Sequence, residues 1–446
     1  MRLIETLKNI WKIEDLRKRI LITLLYVVIY RLGSFVVIPG IDPLSLDALQ
    51  SQTSEGLMAL LNMFSGGAFS NASVFALGIM PYISASIVMQ LAAVIVPSMQ
   101  KLQREGESGR RKINQWTRYL TVLILLVQGP AYLMNLRAQV ASMGADFPGG
   151  FFFMLYATII LAAGSMFVLW LGERITDKGI GNGISFIILV GIIARLPHSL
   201  VAEFTYRLNS SAGGMVAFLA EIVFLLFVTA GAILLVQGTR KIPVQYAKRV
   251  VGNKQFGGAR QYIPLKVNAA NVMPIIFAQA IMFIPVSLTG FFGGAKEGGL
   301  IHVLSDNTSF WYNFIFALLI VLFTYFYTAI TINPTQMADD LKRNNGFIPG
   351  IKPGKQTRDY LDTVMDRITL PGAFFLAIVA ILPAFAELLG ISAGFAQFFG
   401  GTSLLILVGV VLDTLQQIES HLLMRHYDGL LKSGRIKGRT GSISAY

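Results

Sequence analysis

The stretch Leu57–Gln90 reads LMALLNMFSGGAFSNASVFALGIMPYISASIVMQ, and it holds two apolar segments of different kinds. The segment near Val74–Val96 is long enough to cross a bilayer as a helix, which takes about 20 residues. The preceding segment, residues 57–71, is apolar but too short to cross, and Gly66 and Gly67 interrupt it. The stretch therefore predicts a membrane protein in which a short, glycine-broken helix lies beside a full span.

The composition of the whole chain agrees with a membrane location. Of its 446 residues, 54% are hydrophobic and 14% are charged, whereas a soluble protein carries about 25% charged residues. The chain has no cysteine, which excludes disulfides, thiolate metal sites and iron–sulfur clusters. Its four histidines show no metal-ligand spacing. We therefore expect no metal and no cofactor.

Ten apolar stretches reach the length of a membrane span. Helices are expected for all of them, because backbone groups in lipid must be satisfied within their own segment. The predicted spans are Ile20–Ile38, Val74–Val96, Tyr119–Leu136, Phe151–Leu171, Ile184–Val201, Met215–Gln237, Val267–Phe292, Trp311–Ile332, Ile368–Leu389 and Ser403–Met424.

The positive charges predict the orientation of these spans. Of the 37 Lys and Arg residues, 32 lie in alternate connections and in the two terminal segments. Basic residues concentrate on the cytoplasmic side of membrane proteins, so both termini are expected in the cytoplasm. The remaining five lie in the spans or on the other side, and they are Arg31, Arg137, Arg195, Arg207 and Lys296.

Ten spans divide into two halves of five. Because each half has an odd number of spans, the two halves must have opposite orientations in the membrane. Inverted repeats of this kind are common in membrane transport proteins. Met80-Pro81 in the second span and Met273-Pro274 in the seventh provide a short matching trace. We thus expect an all-α polytopic protein with ten transmembrane helices in two inverted five-helix halves and one short extra helix. Its predicted parts are an amphipathic cytoplasmic segment 1–19, a first half 20–201, a second half 202–424 with basic loops 238–266 and 334–367, and a cytoplasmic tail 425–446.

The spans lack the groups that power transport. Ion-coupled transporters need ionisable side chains deep in the membrane, and five of the ten spans contain none. Glu221 lies near a span end, where snorkelling to the interface explains it, and Asp413 fits a polar helix–helix contact. No Walker loop or other catalytic set is present. The sequence therefore indicates a passive conduit and no enzyme, with a small-solute secondary transporter as the alternative.

Six blocks of sequence, spread over essentially the whole chain, resemble the SecY family of bacterial protein-conducting channels. They are LNMFSGGAFSNASVFALGIMPYISASI, EGESGRRKINQWTRY, WLGERITDKGIGNGIS, PLKVNAANVMPIIFA, NPTQMADDLKRNNGFIPGIKPGKQT and FGGTSLLILVGVVLDTLQQ. The resemblance implies that unfolded secretory polypeptides pass through the chain and that hydrophobic segments leave it sideways into lipid. It also implies a bacterial cytoplasmic membrane.

The resemblance assigns the short helix and a set of isoleucines. The helix 57–71 is expected to be a plug, held by loose packing in a funnel, that blocks the pore at rest. Its matching residues are Asn62, Phe64, Gly66, Gly67 and Phe69. The expected pore ring of bulky apolar side chains consists of Ile79, Ile83, Ile184, Ile188, Ile276 and Ile406. Since Ile184 and Ile406 lie near the ends of their apolar runs, the loops before them must dip into water-filled funnels if the ring is to form.

The resemblance also assigns a lateral gate and a docking face. The gate is expected at Gln90, Gln128 and Asn268, whose amides can bond across helices. The ribosome and the motor ATPase SecA are expected to dock on the basic loops, at Arg240, Lys241, Lys248, Arg249, Lys254, Lys352 and Lys355. Lys352 stands where the family usually has arginine, and Asn253 stands where a basic residue is common.

The remaining implied partners are small SecE-like and SecG-like membrane subunits, YidC-like and SecD/SecF-like accessory proteins, and anionic lipid. Two further hypotheses stay open from the residues alone. An insertase without a continuous pore would need neither a plug nor an isoleucine ring, and a membrane enzyme would need a catalytic set.

Overall fold

The computed structural model describes residues 11, 13–41, 62–142, 150–209, 214–246, 249–251, 254–256, 260–270, 272–289 and 309–432. The described chain is mostly helical. The helices of its first part are α1 (Glu14–Gly33), α2 (Met80–Ile95), α3 (Pro97–Arg104), α4 (Glu107–Ser142), α5 (Phe151–Lys178), α6 (Gly183–Asn209) and α7 (Gly214–Gln237). Those of its second part are α8 (Met273–Thr289), α9 (Phe310–Thr331), α10 (Pro334–Arg343), α11 (Lys355–Leu388), α12 (Ala393–Ala396) and α13 (Gly401–Lys432).

Seven helices in the described part of the chain are long and apolar enough to cross a membrane, or eight if the bent pair α2–α3 counts as one span. The seven coincide with the predicted third to sixth and eighth to tenth spans. The first predicted span corresponds to α1, whose N-terminal turns are charged. The seventh corresponds to α8, which has 17 residues and ends where the described residues stop. The chain is therefore a polytopic membrane protein.

The second and seventh spans begin later than predicted. Residues 74–79 form turns, and helix α2 begins at Met80 because Gly78 takes a positive φ of 52° and Pro81 occupies the first turn. Proline is well suited to a first helical turn, where its missing N–H has no partner to lose. Likewise α8 begins at Met273, just before Pro274, and not at Val267. Apolar runs alone cannot separate such turns from helix.

The basic loops contain strands, which departs from the all-α prediction. Strand β1 (Thr239–Tyr246) pairs antiparallel with β4 (Arg260–Lys266) and, at its far end, with β5 (Gly346–Phe347). Strands β2 (Arg249–Val251) and β3 (Lys254–Phe256) form a second antiparallel pair. Ile242 and Val244 alternate with exposed residues along β1, which is the period-two pattern of a half-buried strand.

Three of the four apolar clusters in the described residues hold the membrane-spanning helices together. A first-half cluster unites side chains of α4 and α5 with residues 38–41 and 69–76. A second-half cluster unites α7, α8, α9, α11 and α13 and also includes Ile87 of α2. A third, the junction cluster, takes side chains from both parts of the chain. Its buried members are Tyr30, Met63, Phe64, Ala68, Phe75, Ile79, Val168, Leu171, Ile175, Ile187, Ile188, Ile192, Ala386, Ile391, Phe395, Ala396, Phe398, Phe399 and Ile406.

Candidate functional site

The structure brings the six predicted ring isoleucines to the junction cluster. Ile79, Ile188 and Ile406 are buried members of it, and Ile83, Ile184 and Ile276 are half-buried and pack against it. They come from the start of α2 and from α6, α8 and α13, so both predicted halves contribute. A cavity of about 300 Å³ reaches this point, and it is lined by Ile188, Ile276 and Ile406. Polar side chains also line the cavity, namely Asn182, Ser185, Gln237, Lys266, Asp413 and Gln416.

The turn of residues 179–183, which is held by several hydrogen bonds, places Ile184 at the cluster. The Asn182 side chain accepts from the backbone N–H of Ile184 at 3.1 Å and thereby caps α6. The backbone N–H of Gly183 donates to the Thr176 hydroxyl of α5 at 2.9 Å, and that of Gly181 donates to Gln417 of α13 at 2.9 Å. A Cβ on Gly183 would lie 2.0 Å from the Gly172 carbonyl oxygen. The turn is therefore packed against α5 and α13, while Asn182 itself is exposed and lines the cavity.

The backbone before α13 also packs closely against a neighbouring helix, and this packing places Ile406 at the cluster. A Cβ on Gly400 would lie 2.3 Å from the carbonyl oxygen of Val379 in α11. The Ser403 hydroxyl donates to the Gly400 carbonyl at 3.0 Å and also bonds the Gln397 carbonyl. These contacts let the short segment 391–400 enter between helices, so that α13 begins within the apolar region. The segments before Ile184 and Ile406 are thus both packed against neighbouring helices.

The short segment predicted as a plug is buried in its described part, residues 62–71. Residues 62–64 form one helical turn and residues 65–72 form turns, with Gly66 and Gly67 at positive φ of 65° and 92°. Asn62 has no exposed surface, and its side-chain oxygen accepts from the backbone N–H of Ser70 at 3.0 Å. Phe64 packs in the junction cluster, whereas Phe69 packs in the first-half cluster. Residues 57–61 lie outside the described part.

The packing of this segment is not loose, which corrects the prediction. Three side chains of neighbouring helices donate to its backbone carbonyls: Tyr30 to Ser65 at 3.1 Å, Arg31 to Gly66 at 2.9 Å and Tyr132 to Phe69 at 2.8 Å. None of the three donors was singled out from the sequence. Arg31 did leave a signal, because it is one of the five basic residues that the charge count placed away from the cytoplasmic face.

Helix α6 also touches the segment, at Gly191. A Cβ on Gly191 would lie 2.8 Å from the carbonyl oxygen of Phe64 and 3.2 Å from the backbone nitrogen of Gly66. Gly191 and Ile188 are three residues apart and so lie on the same face of the helix. One face of α6 therefore contacts both the isoleucine cluster and the short segment.

The predicted gate residues lie on three different elements. Gln90 is half-buried on α2, and its amide donates to Ser86 of the same helix at 3.2 Å. Gln128 is half-buried on α4, and Asn268 is buried just after β4. Among the described hydrogen bonds, none joins Gln90 to Gln128. Helix α2 does contact the second-half cluster, through Ile87 as a buried member.

The two basic loops form one packed unit. Ile242, Val244 and Leu265 of the sheet share an apolar core with Leu341 of α10 and Leu361 of α11. We call this unit, residues 239–246, 260–266 and 334–365, the loop platform. Arg240, Lys241, Lys352 and Lys355 are exposed on it. Arg249 and Lys254 belong to the strands β2 and β3, and Lys248 lies outside the described residues.

A buried ion cluster lies where sequence analysis placed an interfacial side chain. Arg207 of α6 bonds Glu203 of the same helix at 2.9 Å and Glu221 of α7. Arg207 also donates to the Gly390 carbonyl at 2.9 Å, and Glu203 accepts from the backbone N–H of Ser392 at 3.1 Å. Glu221 therefore does not snorkel but ties α7 to α6. Removing one partner from such a buried pair typically costs about 3–5 kcal/mol.

Comparison with protein families gives a direct match. A family model described as SecY matches residues 73–415. A protein translocase subunit SecY from Streptomyces galbus is 42% identical over 433 residues, which cover 95% of this chain and 98% of that protein. The SecY subunits of Aquifex aeolicus and Halalkalibacterium halodurans are 40% and 43% identical, each over 96% of this chain and 99% of the relative.

Solved structures show the same fold. A structure described as a protein-conducting channel aligns with a TM-score of 0.62 at 17% identity, over 95% of both chains. A second, which reports that the SecY plug domain stabilises the closed state of the translocation channel, aligns with a TM-score of 0.64 at 17% identity and equal coverage. A third, Sec61 in the canine ribosome–channel complex, aligns with a TM-score of 0.58 at 17% identity over 95% of both chains.

Proposed function

The chain belongs to the SecY family and is a subunit of the protein-conducting translocation channel, and from this premise we propose how its own residues form the pore. The protein is a transport protein and not an enzyme. The proposed constriction is the ring of Ile79, Ile83, Ile184, Ile188, Ile276 and Ile406, and the proposed plug is the segment 57–71. Unfolded secretory polypeptides cross the membrane through the ring once the plug has left.

The observation that carries the proposal is the meeting of the six isoleucines and the plug segment in one apolar cluster. An apolar constriction dewets and so resists ions and water, while it offers no specific bond to a passing chain. The β-branched isoleucines are stiff at χ1 and would keep the shape of the ring. The plug residues Met63 and Phe64 pack on the same cluster, where they would add a second barrier.

Water accessibility tests this placement. Single cysteines replacing Ile276 and Ile406, which line the 300 Å³ cavity, should react with a membrane-impermeant maleimide added on the cytoplasmic side. A thiol reacts in water as its thiolate, so we expect labelling about ten-fold faster than at lipid-facing positions. Ile159 and Ile378 are matched controls, because they are isoleucines with 56% and 59% of their surface exposed on the outer faces of α5 and α11. Labelling of the ring cysteines at the rate of these controls would refute the pore assignment.

The proposed topology is ten spans in two inverted halves, 20–201 and 202–424, with both termini in the cytoplasm. The support is the count of seven to eight spans in the described residues, together with one apolar cluster formed by the first half and another formed by the second half, which Ile87 of α2 joins. The one-sided distribution of Lys and Arg sets the orientation. Bacterial relatives at 40–43% identity point to the bacterial cytoplasmic membrane. On this topology the cavity with Lys266 and Asp413 faces the cytoplasm, and Arg31 lies toward the outer surface.

The proposed lateral gate runs along α2, where this helix meets the second half. Ile83 and Leu91 are half-buried against the second-half cluster, and Ile87 is buried in it. Contacts between apolar side chains can separate without leaving a buried polar group unpaired. Gln90, Gln128 and Asn268 are the polar residues assigned to the gate, and each would exchange its partner when a hydrophobic segment passes into lipid.

The proposed docking face is the loop platform together with the basic residues of the chain between β1 and β4. Solved neighbours include Sec61 and yeast Ssh1 in complexes with ribosomes, and exposed Lys and Arg suit ribosomal RNA phosphates. We assign the ribosome and the SecA motor to Arg240, Lys241, Lys248, Arg249, Lys254, Lys352 and Lys355. Lys352 keeps the charge of the usual arginine but lacks its bidentate fork. SecE-like and SecG-like subunits would complete the channel, with YidC-like and SecD/SecF-like proteins and anionic lipid as further partners.

Salt dependence tests the docking face. Replacing Arg240 and Lys241 with serine should weaken ribosome binding to the reconstituted complex. It should also flatten the plot of log affinity against log salt by about 0.7–0.9 for each phosphate that is no longer neutralised. Lys18→Ser is the control, because Lys18 is an exposed lysine of α1 that already pairs with Glu14 at 2.9 Å. If the double variant binds like Lys18→Ser, this edge of the sheet does not touch RNA.

A further inference from the structure

We propose that Tyr30, Arg31 and Tyr132 form a latch that holds the plug closed by its backbone carbonyls, with Gly191 of α6 as the seat beneath it. The proposal rests on the assignment of the segment 57–71 as the plug. It adds the residues that retain the plug, and it explains how the plug would sense the state of the ring.

The latch bonds share one chemistry. The hydroxyls of Tyr30 and Tyr132 and the guanidinium of Arg31 donate to three carbonyl oxygens within five residues of the plug. The donors come from two helices, since Tyr30 and Arg31 lie at the end of α1 and Tyr132 lies on α4. Because every acceptor is a main-chain group, the latch depends on the shape of the plug and not on its side chains.

The plug is folded so that its carbonyls can face outward. The Ser65 hydroxyl donates to the Asn62 carbonyl at 3.2 Å, and its oxygen accepts from the backbone N–H of Phe69 at 3.0 Å. The Asn62 side chain closes the same turn on Ser70. These internal bonds would travel with the plug, whereas the three latch bonds connect it to the helices. Opening would therefore break the latch and leave the fold of the turn intact.

Glycines set the distance between the plug and its seat. The Cβ that Gly66 lacks would lie 2.7 Å from an Arg31 guanidinium nitrogen and 2.9 Å from the Gly191 Cα. Arg31 of the latch and Gly191 of the seat thus both approach the plug backbone closely at Gly66. Position 66 also requires glycine because its backbone has a positive φ of 65°, which other residues rarely adopt. A larger residue at position 66 would push the plug away from Arg31, and a larger residue at position 191 would push it away from α6.

The seat would couple the latch to the ring. Helix α6 carries Ile184 and Ile188 of the ring and, one turn further along the same face, Gly191 of the seat. A polypeptide that widens the ring moves this face, and the plug loses its seat. Water that enters then competes for the Tyr30 and Tyr132 hydroxyls. A hydrogen bond that is strong when dry contributes little once its groups are hydrated, so the latch is firm only while the ring is closed.

The test measures how often the plug leaves in the full translocase complex at rest. Ser70→Cys provides the probe, because Ser70 is buried in the closed plug with 2% of its surface exposed. A water-soluble maleimide reacts with this thiol only when the plug is displaced. In the Tyr30→Phe and Tyr132→Phe background, which removes two hydroxyls and little else, we expect labelling to be about ten-fold to a hundred-fold faster, at about ten-fold for each buried bond removed. Arg31→Gln should add to the effect.

Two matched controls isolate the latch. Tyr156→Phe removes a hydroxyl that donates to the Pro39 carbonyl at 2.9 Å, a more exposed bond to a carbonyl outside the plug, and should leave the labelling rate unchanged. Gly191→Ala should accelerate labelling, whereas Gly231→Ala should not, since a Cβ at Gly231 meets only a Phe375 ring atom at 3.7 Å. Labelling of the double tyrosine variant at the rate of Tyr156→Phe would overturn the latch.

A stalled secretory polypeptide separates the two levels of the proposal. If it accelerates Ser70→Cys labelling in the otherwise unchanged protein, the segment is displaced during transport, as a plug must be. If only the latch hypothesis is wrong, the stalled polypeptide will still accelerate labelling of Ser70→Cys. The tyrosine variants at rest will then label at the same rate as the protein with both tyrosines. Absence of the acceleration would refute the plug assignment, and the latch with it.

Discussion

Replacing Ile276 with asparagine should give a channel that leaks ions at rest. Ile276 packs against the junction cluster and lines the 300 Å³ cavity on one side of it. An amide there replaces apolar surface with a group that holds water, and a constriction that gates by dewetting fails when it is wetted. Reconstituted in planar bilayers, the variant should show a resting conductance at least about ten-fold above that of the unchanged protein, since one buried amide is worth at least about 1–3 kcal/mol of hydration.

Two variants control for folding and for polarity as such. Ile276→Val keeps a β-branched apolar side chain and should remain tight. Ile378→Asn introduces the same amide on a lipid-facing isoleucine of α11, where it affects insertion but not the ring. The account is wrong if the two asparagine variants leak equally, or if Ile276→Asn is as tight as Ile276→Val.

Much of the fold could be predicted from hydropathy. The helix α9, Phe310–Thr331, differs by one residue at each end from its prediction, and α7 begins one residue early. α9 has no charged residue and α7 has only Glu221, so the length of the apolar run suffices to predict both helices. The start of α2 was missed because residues 74–79 are as apolar as the helix that follows. The strands were missed because loop 239–266 was analysed for charge, whereas its alternating Ile242 and Val244 carry the structural information.

The site residues could be predicted only where the identity of a side chain, and not the backbone, determines the contact. The six isoleucines could be located from the family motifs, and the structure brings them to one cluster. The latch could not be found, because its acceptors are the carbonyls of Ser65, Gly66 and Phe69, and every residue has a carbonyl. The ion cluster of Glu203, Arg207 and Glu221 was partly readable: Glu203 and Arg207 are four apart on a helix, the spacing of an intrahelical pair. The third member, Glu221, could not be predicted because its contact with Arg207 depends on how α7 packs against α6.

A channel without an energy source can stay closed when several barriers are coupled. The proposed ring and the proposed seat of the plug share helix α6 through Ile184, Ile188 and Gly191, so that one motion of this helix can widen the ring and remove the seat. The loop platform holds both basic loops on a common apolar core, and a motor or ribosome that binds it would act on a rigid surface. The force for transport then comes from the bound partner, and the chain supplies only the path.

The most direct measurement is to locate a polypeptide that is caught in transit. The chain has no cysteine, so single cysteines can be placed at Ile83 and Ile276 and paired with one cysteine in a stalled secretory polypeptide. We predict disulfide crosslinks at both positions, and none at the lipid-facing Ile159 and Ile378. Crosslinks at Ile159 and Ile378 without any at Ile83 and Ile276 would contradict the central claim that the path runs through the isoleucine ring.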